Sequence, residues 1–238
     1  MSFYTDFADY SEAVFPFDPS VHAFLREHMP PGARRALDVG CGTGDYTAAF
    51  ANDGLEAVGI DLDLEMVEVA RARHVGPLFR VMDAREVGRV DGLFDVAFSI
   101  GNVVSHLEPD DLPRFLDGVH GRLERWGTWI VQMVNWDYIL GQSSYRFPDI
   151  VVGDGAVVFT REYPQVASDR VQFVTRLARG DTTVFEGEMP LYPISTPDCE
   201  ALHDSAGFEL LGHYADFHSR PFDPGVESSS VYVFRRRG

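Results

Sequence analysis

The densest chemical signal in the sequence is a glycine-rich stretch with an acid in front of it. Three glycines stand on alternate positions, Gly40, Gly42 and Gly44, and Asp38 precedes them after a short apolar run. Glycine lacks a Cβ atom, so the backbone can turn sharply here and lie close against a ligand. The segment that follows has helical spacing, and the free N–H groups of a helix N-terminus attract carboxylate or phosphate. The stretch predicts a site for a small, partly anionic, nucleoside-like ligand.

Two further acids end apolar runs that are typical of buried strands. Asp61 lies 17 residues after Gly44, where its carboxylate could accept hydrogen bonds from both hydroxyls of a ribose. Asp83 could take an adenine amino group, with Ala84 supplying a backbone N–H, or cap the next helix, or do both. Met66 could lie beside the adenine, although a methionine at helical spacing is more often part of the core. Asp61 could instead be an ordinary acid on a surface loop.

Apolar runs that predict strands alternate with segments of helical spacing over about 100 residues, which favours a parallel sheet. We therefore predict an α/β fold: a doubly wound, Rossmann-like, seven-stranded sheet with helices on both faces. In such sheets ligands bind beyond the carboxyl ends of the strands, near the topological switch point. The glycine stretch, Asp61 and Asp83 all fall at such ends.

The pattern changes after residue 135. Shorter alternating runs separated by Gly, Ser and Asp predict three antiparallel strands, inserted where they would cover the active site and shape the acceptor pocket. The N-terminal aromatic residues, Tyr4 and Tyr10 among them, belong either to a lid over the ligand or to a helix that covers one edge of the core. The predicted domains are an N-terminal helical lid at 1–30, a core at 31–135 and 190–238, and an inserted antiparallel β subdomain at 136–189.

Composition excludes several classes of protein. The chain has 238 residues and a formal charge of −17, and its basic residues are all arginine. An acidic surface repels phosphate backbones, so we expect no nucleic-acid partner. No apolar run suits a membrane span, no signal peptide is evident, and the histidines show no metal-ligand spacing. We expect a cytoplasmic protein without a metal, either a monomer or a homodimer.

The spelling Asp-x-Gly-x-Gly-x-Gly resembles motif I of class I S-adenosylmethionine-dependent methyltransferases. In the dinucleotide fingerprint the third glycine comes one residue later, where this chain has Asp45. The segments at 100–107 and 135–140 resemble those of glycine/sarcosine N-methyltransferases and, more loosely, amino-sugar N-methyltransferases.

The resemblance implies methyl transfer from S-adenosylmethionine to a small-molecule amine, leaving S-adenosylhomocysteine. The expected cofactor-binding residues are Tyr10, Asp38, Gly40, Gly42, Gly44, Asp61, Leu62, Met66, Asp83, Ala84 and Ile100. The expected residues on the acceptor side are His106, Asn135 and Tyr192.

Two questions about the acceptor side stay open in the sequence. His106 could act as a base, because an unperturbed imidazole titrates near neutral pH, or it could simply pack and orient its loop. Arg161, Arg170 and Arg176 are all candidates to hold a substrate carboxylate. A small-molecule O-methyltransferase and a catalytically silent S-adenosylmethionine-binding regulatory protein are the alternative functions.

Overall fold

The computed structural model describes residues 10–153 and 155–238. The strands are β1 (Arg35–Val39), β2 (Glu56–Asp61), β3 (Leu78–Val81), β4 (Phe94–Ser99), β5 (Leu123–Val134), β6 (Tyr145–Arg146), β7 (Ile150–Val152), β8 (Val157–Tyr163), β9 (Val171–Arg179), β10 (Thr182–Leu191), β11 (Phe208–Tyr214) and β12 (Ser229–Arg236). The α-helices are α1 (Ser11–Val14), α2 (Pro19–Glu27), α3 (Asp45–Asn52), α4 (Leu64–Arg73), α5 (Leu112–Arg122), α6 (Trp136–Leu140) and α7 (Thr196–Ser205). Short 3-10 helices occupy 84–89, 103–106 and 109–111.

The main sheet has seven strands in the order β3-β2-β1-β4-β5-β12-β11. The first five run parallel, and β12 is antiparallel to both of its neighbours. The inner parallel strands are apolar on both sides because helices cover both faces of the sheet. On one face α5 and α7 pack against β1, β4 and β5, and on the other face α2 and α3 pack against the same strands. The predicted doubly wound sheet is confirmed.

The second sheet is antiparallel, with the order β10-β9-β8-β6 and with β7 also paired to β8. It thus has five strands rather than the three that the sequence predicts. The two extra strands, β6 and β7, are only two and three residues long, too short to show an alternating pattern. β10 runs on to Leu191, past the predicted boundary at residue 189.

Ser105 joins the two sheets. It is fully buried in the 3-10 helix after β4, and its carbonyl accepts a hydrogen bond of 2.7 Å from the N–H of Tyr192, directly after β10. Its hydroxyl accepts one from the indole of Trp136 in α6 and donates one to the side chain of Asn102. One residue therefore holds the end of the second sheet against the carboxyl end of β4.

The N-terminal segment packs between the two layers. Glu12 of α1 pairs with Arg73 of α4 at 2.6 Å, and Val14 packs with Met66 of α4 and Phe159 of β8. Residues 1–9, which include Tyr4, lie outside the described residues. No helix in the part of the chain that the structure describes is long and apolar enough to cross a membrane.

Candidate functional site

The three glycines of the loop after β1 all have positive φ angles, of 81° at Gly40, 52° at Gly42 and 82° at Gly44. A Cβ added to Gly40 would lie 2.5 Å from Cγ2 of Val103, and one added to Gly44 would lie 2.5 Å from the ring of Phe79. At Gly42 an added Cβ would meet nothing within 4 Å. Packing within the protein therefore requires the outer two glycines, whereas the middle glycine faces open space that a ligand could fill.

Asp61 holds this loop from the neighbouring strand end. Its Oδ2 accepts a hydrogen bond of 2.8 Å from the N–H of Gly42, and its Oδ1 accepts one of 2.9 Å from the N–H of Asp63. A carboxylate has about four lone-pair sites, so Asp61 keeps acceptor capacity for a ligand. Burial raises the pKa of the Asp61 carboxyl. Leu62, the next residue, is 70% exposed at the same edge of the sheet.

Asp38 lies behind the loop and is only 4% exposed. Its Oδ2 accepts a hydrogen bond of 2.7 Å from the hydroxyl of Thr47 in α3. Burial, together with a smaller contribution from the charge of Asp61, raises the pKa of the Asp38 carboxyl to about 7, although the Thr47 hydroxyl acts in the opposite direction. A cation near Asp38 would favour its ionised form.

Asp83 caps the 3-10 helix that starts at Ala84. Its Oδ1 accepts a hydrogen bond from the N–H of Arg85, and the Arg85 guanidinium contacts both carboxylate oxygens at 2.5–3.0 Å. This hydrogen bonding lowers the pKa of Asp83. The capping interpretation of Asp83 is observed directly, and its contact with an adenine stays a prediction.

The remaining predicted cofactor residues flank this edge of the sheet. Met66 is 5% exposed and packs among apolar side chains of α1 and the second sheet. The Tyr10 hydroxyl accepts a hydrogen bond of 3.3 Å from Arg179 of β9. Ile100 follows β4 and is partly buried, and the N–H of Gly101 after it donates to the side chain of Gln132.

The predicted acceptor-side residues have different surroundings. Burial lowers the pKa of His106 to about 4, and its imidazole has no hydrogen-bond partner among the described residues. The Tyr192 hydroxyl donates to Glu108 at 3.4 Å, and burial together with the Glu108 charge raises its pKa. The two titratable side chains are thus a weak base and a weak acid.

Asn135 is 1% exposed and its amide is occupied by backbone groups. The carbonyl oxygen caps α6 by accepting the N–H of Tyr138, and the amide nitrogen donates to three carbonyls in the 223–226 loop. These contacts give Asn135 a positioning role in the fold. Its predicted contact with the acceptor finds no support in them.

Two apolar clusters lie at the ends of the inner face of the second sheet. We call the first the α4 cluster (Val14, Met66, Val157, Phe159, Leu177 and Phe185) and the second the α6 cluster (Trp136, Ile139, Tyr163, Val171 and Leu191). Because side chains alternate along a strand, Arg161 lies between Phe159 and Tyr163 on β8, and Thr175 lies between Leu177 and Phe173 on β9. Arg161 and Thr175 are register partners, and we call them the polar pair.

Neither member of the polar pair is fully hydrogen-bonded. The Arg161 guanidinium lies 5.0–5.9 Å from the ring centres of Phe15, Phe147 and Phe159, and it donates to the carbonyl of Pro148. Its Nε and the Thr175 hydroxyl are buried without a hydrogen-bond partner in the described part of the chain. Each such group costs about 1–3 kcal/mol. Burial lowers the pKa of Arg161.

The other two candidate arginines lie elsewhere. Arg176 is exposed, follows Thr175 on the opposite face of β9, and donates to the Thr183 hydroxyl at 2.8 Å and 3.1 Å. Arg170 is exposed just before β9. The part of the chain that the structure describes contains no group of His, Cys, Asp or Glu side chains that could hold a metal ion.

The chain is similar in sequence to known methyltransferases. Residues 36–127, which run from β1 into β5, match the family model for the methyltransferase domain. A glycine/sarcosine N-methyltransferase of Halorhodospira halochloris is 27% identical over 212 residues, 84% of this chain and 76% of that protein. The chain is an S-adenosylmethionine-dependent methyltransferase.

Solved structures share the fold of this methyltransferase. An S-adenosylmethionine-dependent methyltransferase from Clostridium acetobutylicum superposes with a TM-score of 0.80 at 18% identity, covering 99% of both chains. An amino pentose methyltransferase from Micromonospora echinaspora, with S-adenosylmethionine bound, gives a TM-score of 0.69 at 20% identity, covering 99% of this chain and 92% of that one. At these identities the likeness concerns the fold.

Two of the predicted cofactor residues contact each other, and several buried polar residues of the structure are not among the predictions. Gly42 and Asp61 are hydrogen-bonded to each other at the carboxyl edge of the main sheet. Thr47, Ser105 and Thr175 are not among the predicted site residues, and each of them is buried. Thr47 could have been found, because it lies in the first turn of α3, only three residues after Gly44.

The glycine loop yields a prediction with matched variants. Gly32→Ala introduces a positive-φ alanine (φ 77°) far from the loop, with nothing within 4 Å, and should cost about 1 kcal/mol of unfolding free energy. Gly42→Ala should cost about the same but weaken S-adenosylhomocysteine binding, because its methyl group fills the open face. Gly44→Ala should cost more than either, because the methyl also meets Phe79. Urea unfolding measures the unfolding free energy, and calorimetry measures the affinity for S-adenosylhomocysteine. Equal affinity of Gly42→Ala and wild type would contradict this assignment.

Asp38 yields a pH prediction. Its pKa is about 7 in the folded protein against a usual value of 3.8, so the folded state binds more protons than the unfolded state between pH 4 and 7. Its contribution to stability therefore falls as the pH rises through that window. The unfolding free energy of the Asp38→Asn variant, relative to that of the wild type, should rise by about 2–4 kcal/mol between pH 4 and pH 7. Urea unfolding of both proteins at several pH values measures this difference, and a constant difference would refute it.

Proposed function

We propose that this methyltransferase transfers a methyl group from S-adenosylmethionine to the nitrogen of a small-molecule amine. The observation that carries the proposal is that neither titratable side chain predicted on the acceptor side, within the part of the chain that the structure describes, is a competent base. An alcohol must lose its proton to attack, and an efficient base has a pKa near the working pH. His106, with its pKa near 4, and Tyr192, with its raised pKa, are both far from that value. A neutral amine needs no such group.

The cofactor-binding residues fit the group that they would hold. The open face of Gly42 leaves room for a ligand against the loop, and the Asp61 carboxylate beside it keeps acceptor capacity. We assign the ribose hydroxyls to Asp61 and the amino-acid part to the loop of Gly40, Gly42 and Gly44. Asp38 would favour an ammonium group there, directly or through water. S-adenosylmethionine supplies an electrophilic methyl group on its sulfonium sulfur.

The protein's own contribution is to align the reactants and exclude water. The inner face of the second sheet is apolar at both ends, and Ser105 holds it against the carboxyl end of β4. An amine held between that face and the glycine loop would reach the methyl carbon at near-attack distance in a site with little water. His106 then orients its loop rather than moving a proton.

The arginine contacts favour one acceptor-binding residue. Arg161 is enclosed by aromatic rings and keeps an unpaired Nε, whereas Arg176 is exposed and already bonded to Thr183. We therefore propose that Arg161, of the three candidates, holds an anionic group of the acceptor. The similar glycine/sarcosine N-methyltransferase of H. halochloris is named for two amines that each carry a carboxylate, which supports the same substrate class.

The test is an assay of S-adenosylhomocysteine release on matched amines and alcohols: glycine against glycolate, glucosamine against glucose, and 2-phenylethylamine against 2-phenylethanol. We expect turnover on amines only, with kcat/KM rising with pH as the amine loses its proton. His106→Ala should keep turnover within about threefold of wild type, and Asp61→Ala should abolish it through loss of the cofactor.

Two outcomes of this assay would contradict the proposal. Turnover on alcohols alone, lost in His106→Ala, would indicate an O-methyltransferase that uses His106 as a base. Tight binding of S-adenosylmethionine without turnover on any compound would indicate a catalytically silent regulatory protein.

A further inference from the structure

The Thr175 hydroxyl is a buried polar group in the second sheet. The residue is 1% exposed in the middle of β9, and its Oγ1 has no hydrogen-bond partner within the described residues. A valine would fill the same volume without an unpaired oxygen. A hydroxyl that is retained at a cost to stability indicates a partner that is bound only during function.

Thr175 faces the same space as the unpaired Nε of Arg161. The two residues are directly opposite each other on β8 and β9, and in antiparallel strands such partners have Cβ atoms about 4.5–5.5 Å apart on the same face. Gly187 is the register partner of Thr175 on β10. The row therefore ends in a residue without a side chain.

The position of this row relates it to the cofactor edge. On their strands Arg161 and Thr175 lie between the α4 cluster, which contacts the helix after β2, and the α6 cluster, which contacts the helix after β5. The strands between β2 and β5 in the main sheet are β1 and β4. Along its strands the polar pair thus lies between the attachments of the second sheet to α4 and α6, the helices that follow β2 and β5.

We propose that Thr175 is a specificity-determining residue, whose hydroxyl donates to one oxygen of an acceptor carboxylate while Arg161 binds the same group. This rests on the proposed function, because it assigns the acceptor of that same site. A guanidinium and a hydroxyl on adjacent strands can together donate to both oxygens of one carboxylate. The phenylalanine rings around Arg161 favour an acceptor that carries an apolar part next to its carboxylate.

The test is a binding measurement that needs no turnover. With S-adenosylhomocysteine present, acetate and phenylacetate are titrated by calorimetry into wild type and variants, and acetamide and phenylacetamide are the uncharged controls. Wild type should bind the carboxylates and not the amides. Thr175→Val should lose about tenfold or more in carboxylate affinity, Thr175→Ser should stay close to wild type, and Arg161→Gln should lose binding.

Stability separates this role from a structural one. Because Thr175→Val removes an unpaired buried oxygen, its Tm should rise by about 2 °C or more while its carboxylate affinity falls. Thr160→Val and Arg176→Gln are matched controls, since both residues lie on the outer face of the same sheet, and they should leave carboxylate affinity unchanged. S-adenosylhomocysteine affinity should be the same in every variant.

Several results would overturn the proposal. The wild-type protein could bind neither carboxylate, or the Thr175→Val variant could bind them as tightly as the wild type does. The Thr175→Val variant could also lose as much affinity for S-adenosylhomocysteine as for the carboxylates. If the carboxylates bind as expected but no amine is methylated, the subsite stands and the proposed function fails. If amines are methylated but Thr175→Val changes nothing, the proposed function stands and this inference fails.

Discussion

The architecture depends on the hydrogen bonds that hold the second sheet against the carboxyl edge of the main sheet, and Ser105 makes these bonds. Its carbonyl binds the N–H after β10, and its hydroxyl lies between the Trp136 indole and the Asn102 side chain. Asn102 in turn accepts the N–H of Val134 at the end of β5. Ser105 and Trp136 are buried, so without these hydrogen bonds their polar groups would have no partner in water. Moving any of them would shift the second sheet relative to the glycine loop.

In the proposed site, this connection would bring together two walls of different chemistry. The wall from the main sheet is polar, with carboxylates and backbone N–H groups that suit a nucleoside carrying an amino-acid part. The wall from the second sheet is aromatic, with Arg161 and Thr175 between two apolar clusters. A reaction between a charged donor and a neutral amine suits such a cleft, because the apolar wall excludes water and the polar wall holds the donor.

Local sequence patterns determine much of this structure and were therefore predictable. The alternation of strands and helices, the glycine loop and the acids at strand ends each depend on a few consecutive residues. The roles of Ser105, Asn135 and Thr175 depend on side chains far apart in sequence, such as Trp136 bonding Ser105. The preference for Arg161 over Arg176 depends on strand register, because a shift of one residue would exchange the two faces of the second sheet.

The most direct measurement is a crystal structure of the protein with S-adenosylhomocysteine bound. We expect the ribose hydroxyls within hydrogen-bond distance of the Asp61 carboxylate, the amino-acid part against Gly42, and the sulfur directed towards the face that carries Arg161 and Thr175. A ligand bound away from Asp61, or a sulfur directed away from the second sheet, would contradict the central claim that these two walls form one active site.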